Sequence, residues 1–129
     1  MEKSLTKLTT IRSKMALALA VLLVATAPGF SVAASLAGSE GETRFPPFLP
    51  YTQKAPCTKA YKAYVAAGGH SAYATTPYSR VRSLYIICGV KLNVPSQKSA
   101  EELALKSCEG TVARRRVTTG GHCEIAASK

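Results

Sequence analysis

Two histidines and a run of arginines are the residues in this sequence whose types and spacing could do chemistry. His70 and His122 each follow a Gly-Gly pair, and the arginine run (Arg114, Arg115 and Arg116) comes shortly before the second histidine. With Glu124 as a further acid–base group, these side chains would suit a small basic hydrolase of the nuclease kind. A histidine would transfer the proton, and the arginines would hold the phosphate. A hydrolase that uses His70 or His122 is therefore the alternative function.

The predicted order of the elements separates the two histidines. The first two strands form an antiparallel hairpin, and a strand–helix–strand connection normally returns parallel to its starting strand. His70 and His122 therefore begin strands at opposite ends of the sheet. The chain has no aspartate and no Gly-x-Ser-x-Gly sequence, so a serine triad lacks its usual parts. The sequence thus favours a protein that is not an enzyme and assigns no catalytic residue.

The arginine run is the better candidate for function. It falls in a predicted surface loop, residues 109–121, between the second helix and the last strand. A guanidinium binds a carboxylate or phosphate through two parallel hydrogen bonds, and the chain has too few acids to pair all of its cations. Arg114, Arg115 and Arg116 are therefore predicted to bind an anionic partner. The alternative is a solvated run of charge without a ligand, because charged loops are common.

Four cysteines predict a disulfide framework. An even number of cysteines in a short exported chain usually forms disulfides, and this chain has no Cys-x-x-Cys pair to indicate a metal site. Four cysteines allow three connectivities. The inward faces of the predicted elements favour Cys57 with Cys88 and Cys108 with Cys123. No metal and no cofactor are expected.

The first 33 residues have the three-part pattern of a secretory signal peptide. Four basic residues in 1–14 precede an apolar stretch, 15–27, which Pro28 and Gly29 end. Small residues then place the cleavage after Ala33, with Ala34 as the alternative. A membrane anchor would need about 20 apolar residues, and the stretch has 13. The chain is therefore predicted to be a bacterial protein of the periplasm or the medium, without a membrane span after cleavage.

Export would leave a strongly basic chain. Residues 34–129 contain 13 Lys or Arg side chains against 6 Glu, a net charge of +7. Such a surface attracts anions over a long range. Outside the cytoplasm the anions are envelope components or acidic proteins, and no nucleic acid is expected as a partner. The alternative is that the charge only keeps the protein soluble.

Periodicity and turn residues predict five elements behind an extended lead. Prolines exclude a helix from the lead, residues 34–55, and its aromatic residues Phe45, Phe48 and Tyr51 are predicted to lie on the domain. The predicted elements are a helix at 56–67, strands at 70–76 and 83–92, a helix at 99–108 with a Ser99–Glu102 capping box, and a strand at 122–128.

The apolar faces of these elements predict one small domain, residues 56–129. In the first helix the 100° periodicity turns Cys57, Tyr61 and Tyr64 inward, and Cys123, Ile125 and Ala127 share one side of the last strand. The predicted fold class is α+β: helix, β-hairpin, helix and β-strand, with a three-stranded sheet stapled by two disulfides.

Three segments carry a resemblance. These are residues 69–74 (GHSAYA), 99–108 (SAEELALKSC) and 123–126 (CEIA). In this order they resemble small secreted proteobacterial proteins of unknown function, which have a helix–hairpin–helix–strand core and two disulfides. The resemblance covers residues 56–128, although this chain has no tryptophan in the second strand. It implies a compartment and a fold type and no residue of known function.

Overall fold

The computed structural model describes residues 34–81 and 84–129, and the predicted signal peptide, residues 1–33, lies outside them. The described residues form two helices and four strands in one unit, residues 34–129. The predicted α+β class is confirmed. The elements are β1 (Glu42–Thr43), α1 (Pro56–Ala66), β2 (His70–Thr75), β3 (Cys88–Val94), α2 (Gln97–Arg115) and β4 (Glu124–Ser128).

The sheet has four strands in the order β1-β4-β2-β3, and every neighbouring pair is antiparallel. The predicted three-stranded sheet is wrong by one strand, which the lead supplies. Glu42 and Thr43 pair with Ser128 and Ala127 along the free edge of β4. Gly41 permits this approach, because its φ is +61° and a Cβ on it would lie 2.3 Å from the Ser128 carbonyl oxygen. Two paired residues are too few to produce a strand periodicity in the sequence.

Helix α1 covers one face of the sheet. Pro56 stands in its first turn, where the missing N–H of proline has no helical partner to lose. Tyr64 of α1 and Tyr73 of β2 are fully buried in one cluster, and the Tyr61 ring meets the Tyr73 ring edge-on at 5.2 Å between centroids. The predicted first helix and its inward face are confirmed.

Helix α2 covers the other face and is longer than predicted at both ends. The side chain of Ser96 caps it by accepting a hydrogen bond from the Ser99 N–H, so the predicted capping box is wrong. The helix continues seven residues past Cys108. Val112 repeats the four-residue spacing of Ala104 and Cys108 and packs on the same cluster. This packing outweighs the cost of about 1 kcal/mol for Gly110 in a helix interior.

Strand β3 begins at Cys88, five residues after the predicted start; residue 83 itself lies outside the described residues. The pairing of the hairpin stops at Pro77, because a proline has no N–H to give to the ladder. The last backbone hydrogen bond of the hairpin is donated by the Thr76 N–H to the Ile87 carbonyl oxygen. Tyr85 instead pairs with Thr119, in the segment that precedes β4. Residues 84–87 of the predicted second strand therefore form part of a loop.

Strand β4 is shorter than predicted and contains an irregularity opposite Tyr73 of β2. Because the register shifts there, Ala127 packs beside Tyr73 under α1, whereas Ile125 and Cys123 pack under α2. The predicted alignment of all three residues on one side is wrong at Ala127.

The two disulfides have the predicted connectivity. Cys57–Cys88 joins the start of α1 to β3 with a Cα–Cα distance of 5.7 Å. Cys108–Cys123 joins α2 to the residue before β4 with a Cα–Cα distance of 6.1 Å. All four cysteines are among the described residues, and none is free. Each helix is thus linked covalently to the sheet side of the domain.

The lead is held on the domain mainly by its backbone. The Lys129 ammonium is buried, which lowers its pKa, and it donates to the carbonyl oxygens of Leu36, Ser39 and Val65 at 2.9–3.0 Å. Its nitrogen lies 5.1 Å from the centre of the Tyr64 ring. Three carbonyl oxygens around one ammonium compensate part of the cost of its burial.

Two of the three aromatic residues of the lead lie on the domain, as predicted. Phe45 packs against the cluster under α1, and Phe48 stacks on Tyr78 of the β2–β3 loop at 4.2 Å between ring centroids. Tyr51 is fully exposed, so the prediction is wrong there.

Replacing Tyr73 with phenylalanine is expected to stabilise the domain by about 1 kcal/mol or more. The Tyr73 hydroxyl is buried and makes no hydrogen bond of good geometry to the described residues, although the nearby Thr75 side chain offsets part of the effect of burial on its pKa. Its removal therefore relieves most of an unmet desolvation cost. Burial also raises the pKa of Tyr73 to about 12. Since the unfolded hydroxyl ionises near pH 10 and the folded one keeps its proton, the parent loses stability between pH 10 and about 12. The variant should lose less.

Tyr64→Phe is the matched control for this change. Burial raises the pKa of Tyr64 to about 12 as well, but its hydroxyl donates to the Glu40 carbonyl oxygen. At neutral pH the free energy of unfolding of the control should therefore be about 1 kcal/mol lower than that of the parent. Between pH 10 and about 12 the control, like Tyr73→Phe, should lose less stability than the parent does. Urea unfolding at pH 7 and pH 11 measures both effects. A Tyr73→Phe protein that is less stable than the parent at pH 7 would mean that its hydroxyl is paired.

Candidate anion-binding surface

The arginine run lies at the end of α2 and not in a loop. Arg114 and Arg115 form its last turn, and Arg116 caps it in the left-handed conformation, with φ at +51°. All three side chains are exposed. The predicted loop, residues 109–121, is wrong for 109–115, which are helical because α2 packs on the sheet beyond Cys108. Residues 116–121 lie outside the helices and strands, as predicted. The arginines therefore stand on a rigid element that a disulfide fixes to the domain.

The arginine run has no acidic partner among the described residues. The ion pair that those residues do form joins Arg44 to Glu101 at 2.9 Å, near the first turns of α2. Arg114 donates to the neutral hydroxyl of Thr111 at 2.9 Å. The helix dipole favours cations in a last turn by about 0.3–1 kcal/mol, which gives the arginines a structural role. That role does not require three of them, and their charge remains available to a ligand.

The arginines belong to one end of the sheet, where β2 ends and β3 and β4 begin. We call it the basic end and define it as residues 76–81, 84–87 and 114–123. Its loops touch each other: Tyr85 N donates to the Thr118 carbonyl at 2.9 Å, and a Cβ on Gly120 would lie 3.0 Å from the Pro77 carbonyl oxygen. Arg80 lies in the same set of loops and adds a fourth guanidinium.

Most of the acidic residues lie at the opposite end. Glu42 belongs to β1 beside Ser128, and Glu101 accepts from the Ser128 hydroxyl near the start of α2. Glu40 and Glu102 flank these two positions in the sequence. Four of the six acids of residues 34–129 are therefore far from the arginine run along the strands. The basic end therefore combines four guanidiniums with no carboxylate of its own, although the lysines of the domain lie outside it.

A groove opens next to the arginine run. It has a volume of about 180 Å³ and lies between the lead, the start of α1, the β2–β3 loop and the last turns of α2. We call it the Arg115 groove. Its lining includes Pro50, Ala55, Ile86, the Cys57–Cys88 disulfide and Arg115. Arg115 is the charged residue of the described lining, and the Thr111 hydroxyl is a second polar group, so the groove is mainly apolar with one guanidinium.

Exposed apolar side chains surround the same region. Five of the six large apolar residues that are exposed among the described residues come from the lead and the β2–β3 loop. They are Phe48, Tyr51, Tyr78, Val81 and Tyr85. We call these five the aromatic rim. The two segments that carry them, at Pro50 and Ile86, also line the Arg115 groove. Of the rim side chains, Phe48 and Tyr78 line a separate groove with Glu124, and none of the five belongs to the described lining of the Arg115 groove itself.

The two candidate histidines do not come together. His70 pairs with Val94 at one end of β2, and His122 precedes β4, whose first residue pairs with the other end of β2. Their predicted separation is confirmed. His122 lines a second groove with Glu109, of about 510 Å³. Neither imidazole has a hydrogen bond to any residue that the structure describes, so nothing in that part of the chain fixes the orientation of either ring.

The described part of the chain offers no metal site and no membrane helix. In it, no three His, Cys, Asp or Glu side chains are grouped so that they could hold a metal ion. No helix of residues 34–81 and 84–129 combines the length and the apolar character needed to cross a bilayer. Comparison of the chain with protein-family models, with curated proteins and with solved structures gives no match. The resemblance to small secreted proteins therefore stays a prediction.

Two parts of this surface escape sequence reasoning. Arg80 is far from the arginine run in the sequence, and only the contact of its loop with residues 118–120 brings it toward that run. Tyr85 lies on the exposed side of the predicted strand, as the structure confirms, but its pairing with Thr119 arises only because the hairpin stops at Pro77. One signal in the sequence could have indicated this surface. Prolines in the lead and in the β2–β3 loop prevent β-strand pairing, so the aromatic residues close to them are expected to lie outside the sheet.

Proposed function

We propose that this chain is an exported protein that binds an anionic partner through Arg114, Arg115 and Arg116 and that it is not an enzyme. The observation that carries the proposal is the position of the arginine run. Three exposed guanidiniums share a rigid helix end, without an acidic partner among the described residues, at the basic end of the domain. An ordinary solubilising surface would intersperse its charges.

The net charge of +7 on residues 34–129 supports the same function. An uneven field of this kind steers an anion toward the basic end before contact is made. At contact, each guanidinium can donate two parallel hydrogen bonds to one carboxylate or phosphate group. An anionic envelope component or an acidic protein would therefore dock with its charge against the end of α2.

Export is the second part of the proposal. It is supported by the signal pattern of residues 1–33 and by two disulfides, which persist in oxidising compartments. We expect the intact mass of the protein from the periplasm or the medium to lack residues 1–33 or 1–34. A full-length species there that resists carbonate extraction would instead indicate a membrane anchor.

Replacing Arg114, Arg115 and Arg116 together with glutamine tests the binding site. We expect affinity for a soluble polyanion such as heparin to fall at least tenfold, because charge-assisted hydrogen bonds contribute about 1.5–3 kcal/mol each. The salt dependence of binding should weaken at the same time, because fewer charges are engaged. The free energy of unfolding should change by less than about 1 kcal/mol, since the side chains are exposed. Titration at several salt concentrations and urea unfolding measure these quantities.

The control removes the same charge elsewhere. Lys91, Lys98 and Lys106 are exposed on β3 and α2, away from the helix end, and their joint replacement with glutamine also lowers the net charge by three. If the site is at the arginine run, the lysine variant should bind much more tightly than the arginine variant. Equal losses would mean that only the net charge matters. An arginine variant that binds normally but unfolds easily would make the arginines structural.

A further inference from the structure

We propose that the Arg115 groove seats one apolar side chain of an extended acidic segment in a protein partner, while the carboxylates of that segment meet the arginine run. The inference rests on the proposed function and narrows the anionic partner to a protein. It follows from three properties of the surface: the size of the groove, the position of its single guanidinium and the composition of the aromatic rim.

The groove has the size and lining for one apolar side chain. Its volume of about 180 Å³ exceeds the roughly 150 Å³ of an apolar protein cavity that binds benzene. Pro50, Ala55 and Ile86 offer no hydrogen bonds from their side chains, so a polar group against them would lose water without compensation. The polar side chains of the lining, Thr111 and Arg115, both belong to α2. A phenylalanine or leucine side chain would instead bury its apolar surface against the lining of the groove.

The position of Arg115 requires a negative charge beside that apolar group. Arg115 belongs to both the groove lining and the arginine run, so a ligand in the groove meets a guanidinium at once. Arg114 and Arg116 flank it on the same helix end and lie outside the lining. A ligand that uses all three must therefore carry further carboxylates next to its apolar group, as an acidic peptide with one apolar residue does.

The aromatic rim favours a protein over other anions. Tyrosine and arginine are the residues most enriched where proteins bind each other tightly. Tyr51 is fully exposed and follows Pro50 in the chain, and Tyr85 is exposed and precedes Ile86, so both are chain neighbours of residues that line the groove. A polysaccharide supplies charge without an apolar side chain and would leave the groove empty. An anionic bilayer presents a flat surface of charge, and it has no side chain that could enter a groove of this width.

Two synthetic peptides test the inference on the exported protein. One is acetylated Glu-Glu-Glu-Phe-Glu-Glu-Glu, and the other has alanine in place of phenylalanine. Both carry the same charge, and fluorescence anisotropy of labelled peptides gives their affinities at low salt. The parent protein should bind the phenylalanine peptide about tenfold more tightly, because burial of an aromatic side chain stabilises the complex.

Two tryptophan variants locate the effect. Ala55→Trp would fill the groove and leave every charge in place. The variant protein should therefore bind both peptides with the affinity that the parent has for the alanine peptide. Leu103→Trp adds the same side chain at an exposed position of α2 outside the groove and should keep the tenfold preference. The glutamine variant of the arginine run should lose affinity for both peptides.

The outcomes separate the inference from the proposed function. If the parent binds both peptides equally, the groove is not used and the inference fails, whereas anion binding stands. If heparin or vesicles of anionic phospholipid bind and neither peptide does, the partner is not an acidic protein and the inference also fails. If none of these probes binds at low salt, the proposed function itself is wrong.

Discussion

Replacing Gly89 with alanine is expected to lower the free energy of unfolding by about 3 kcal/mol. Gly89 lies in β3 where α2 crosses the sheet. A Cβ there would lie 2.4 Å from both the carbonyl oxygen of Ala104 and the amide nitrogen of Cys108. These are backbone atoms, which cannot rotate away as a side chain can. The helix would have to move off the sheet, and the close packing of Ala100 and Ala104 on β2 would loosen.

Gly110→Ala provides the same chemical change without the contact. Gly110 lies within α2, and nothing among the described residues would come within 4 Å of a Cβ there. Alanine should stabilise the helix at this position by about 0.5–1 kcal/mol. Urea unfolding followed by circular dichroism compares the two variants with the parent. A Gly89→Ala protein as stable as the parent would show that α2 does not approach β3 so closely.

The Gly89 change also tests whether the arginine run depends on its helix. If α2 moves as a unit, the arginines move with it relative to the lead and to Ile86. Binding of an anionic probe should then weaken although no charged residue has changed. Gly110→Ala lies closer to the arginine run in the sequence and should leave binding unchanged, because it does not displace the helix.

The parts of the fold that the sequence predicts well are those with strong local chemistry. Pro56 begins α1, and the apolar periodicity that follows it correctly gives the buried face with Tyr64. The cysteine pairing follows from the same faces, because Cys57 and Cys108 turn inward on different helices. In these places one residue type or one period decides the structure, and tertiary contacts only add to it.

The parts that the sequence does not predict depend on contacts between distant residues. Strand β1 exists because Gly41 lets two residues reach Ser128, and α2 continues because Val112 finds the core. The candidate site is affected directly. The type of Arg115 indicates anion binding, but its place beside an apolar groove requires the lead, the β2–β3 loop and the full length of α2 to meet.

Replacing Cys108 with serine is the other change with a large expected effect, a loss of about 2–5 kcal/mol in the free energy of unfolding. The Cys108–Cys123 bond closes a loop with a sequence separation of 15, and Cys108 is fully buried between α2 and the sheet. The variant therefore loses the constraint on the unfolded chain and also buries a hydroxyl. In the parent, the Cys108 Sγ lies 3.7 Å from the Ile87 carbonyl oxygen, so a serine hydroxyl at this position would face that acceptor.

The double variant Cys57→Ala with Cys88→Ala separates these two contributions. Its loop is longer, with a sequence separation of 31, so chain entropy alone predicts a loss larger by about 0.6 kcal/mol. If Cys108→Ser nevertheless costs more, the excess measures the buried packing between α2 and the sheet. The last two turns of α2, which carry the arginine run, should then exchange their amide hydrogens faster in Cys108→Ser than in the double variant, because only the former frees that end of the helix. Urea unfolding and hydrogen exchange measure both effects. Four cysteines of the native exported protein that all react with an alkylating agent would contradict the framework itself.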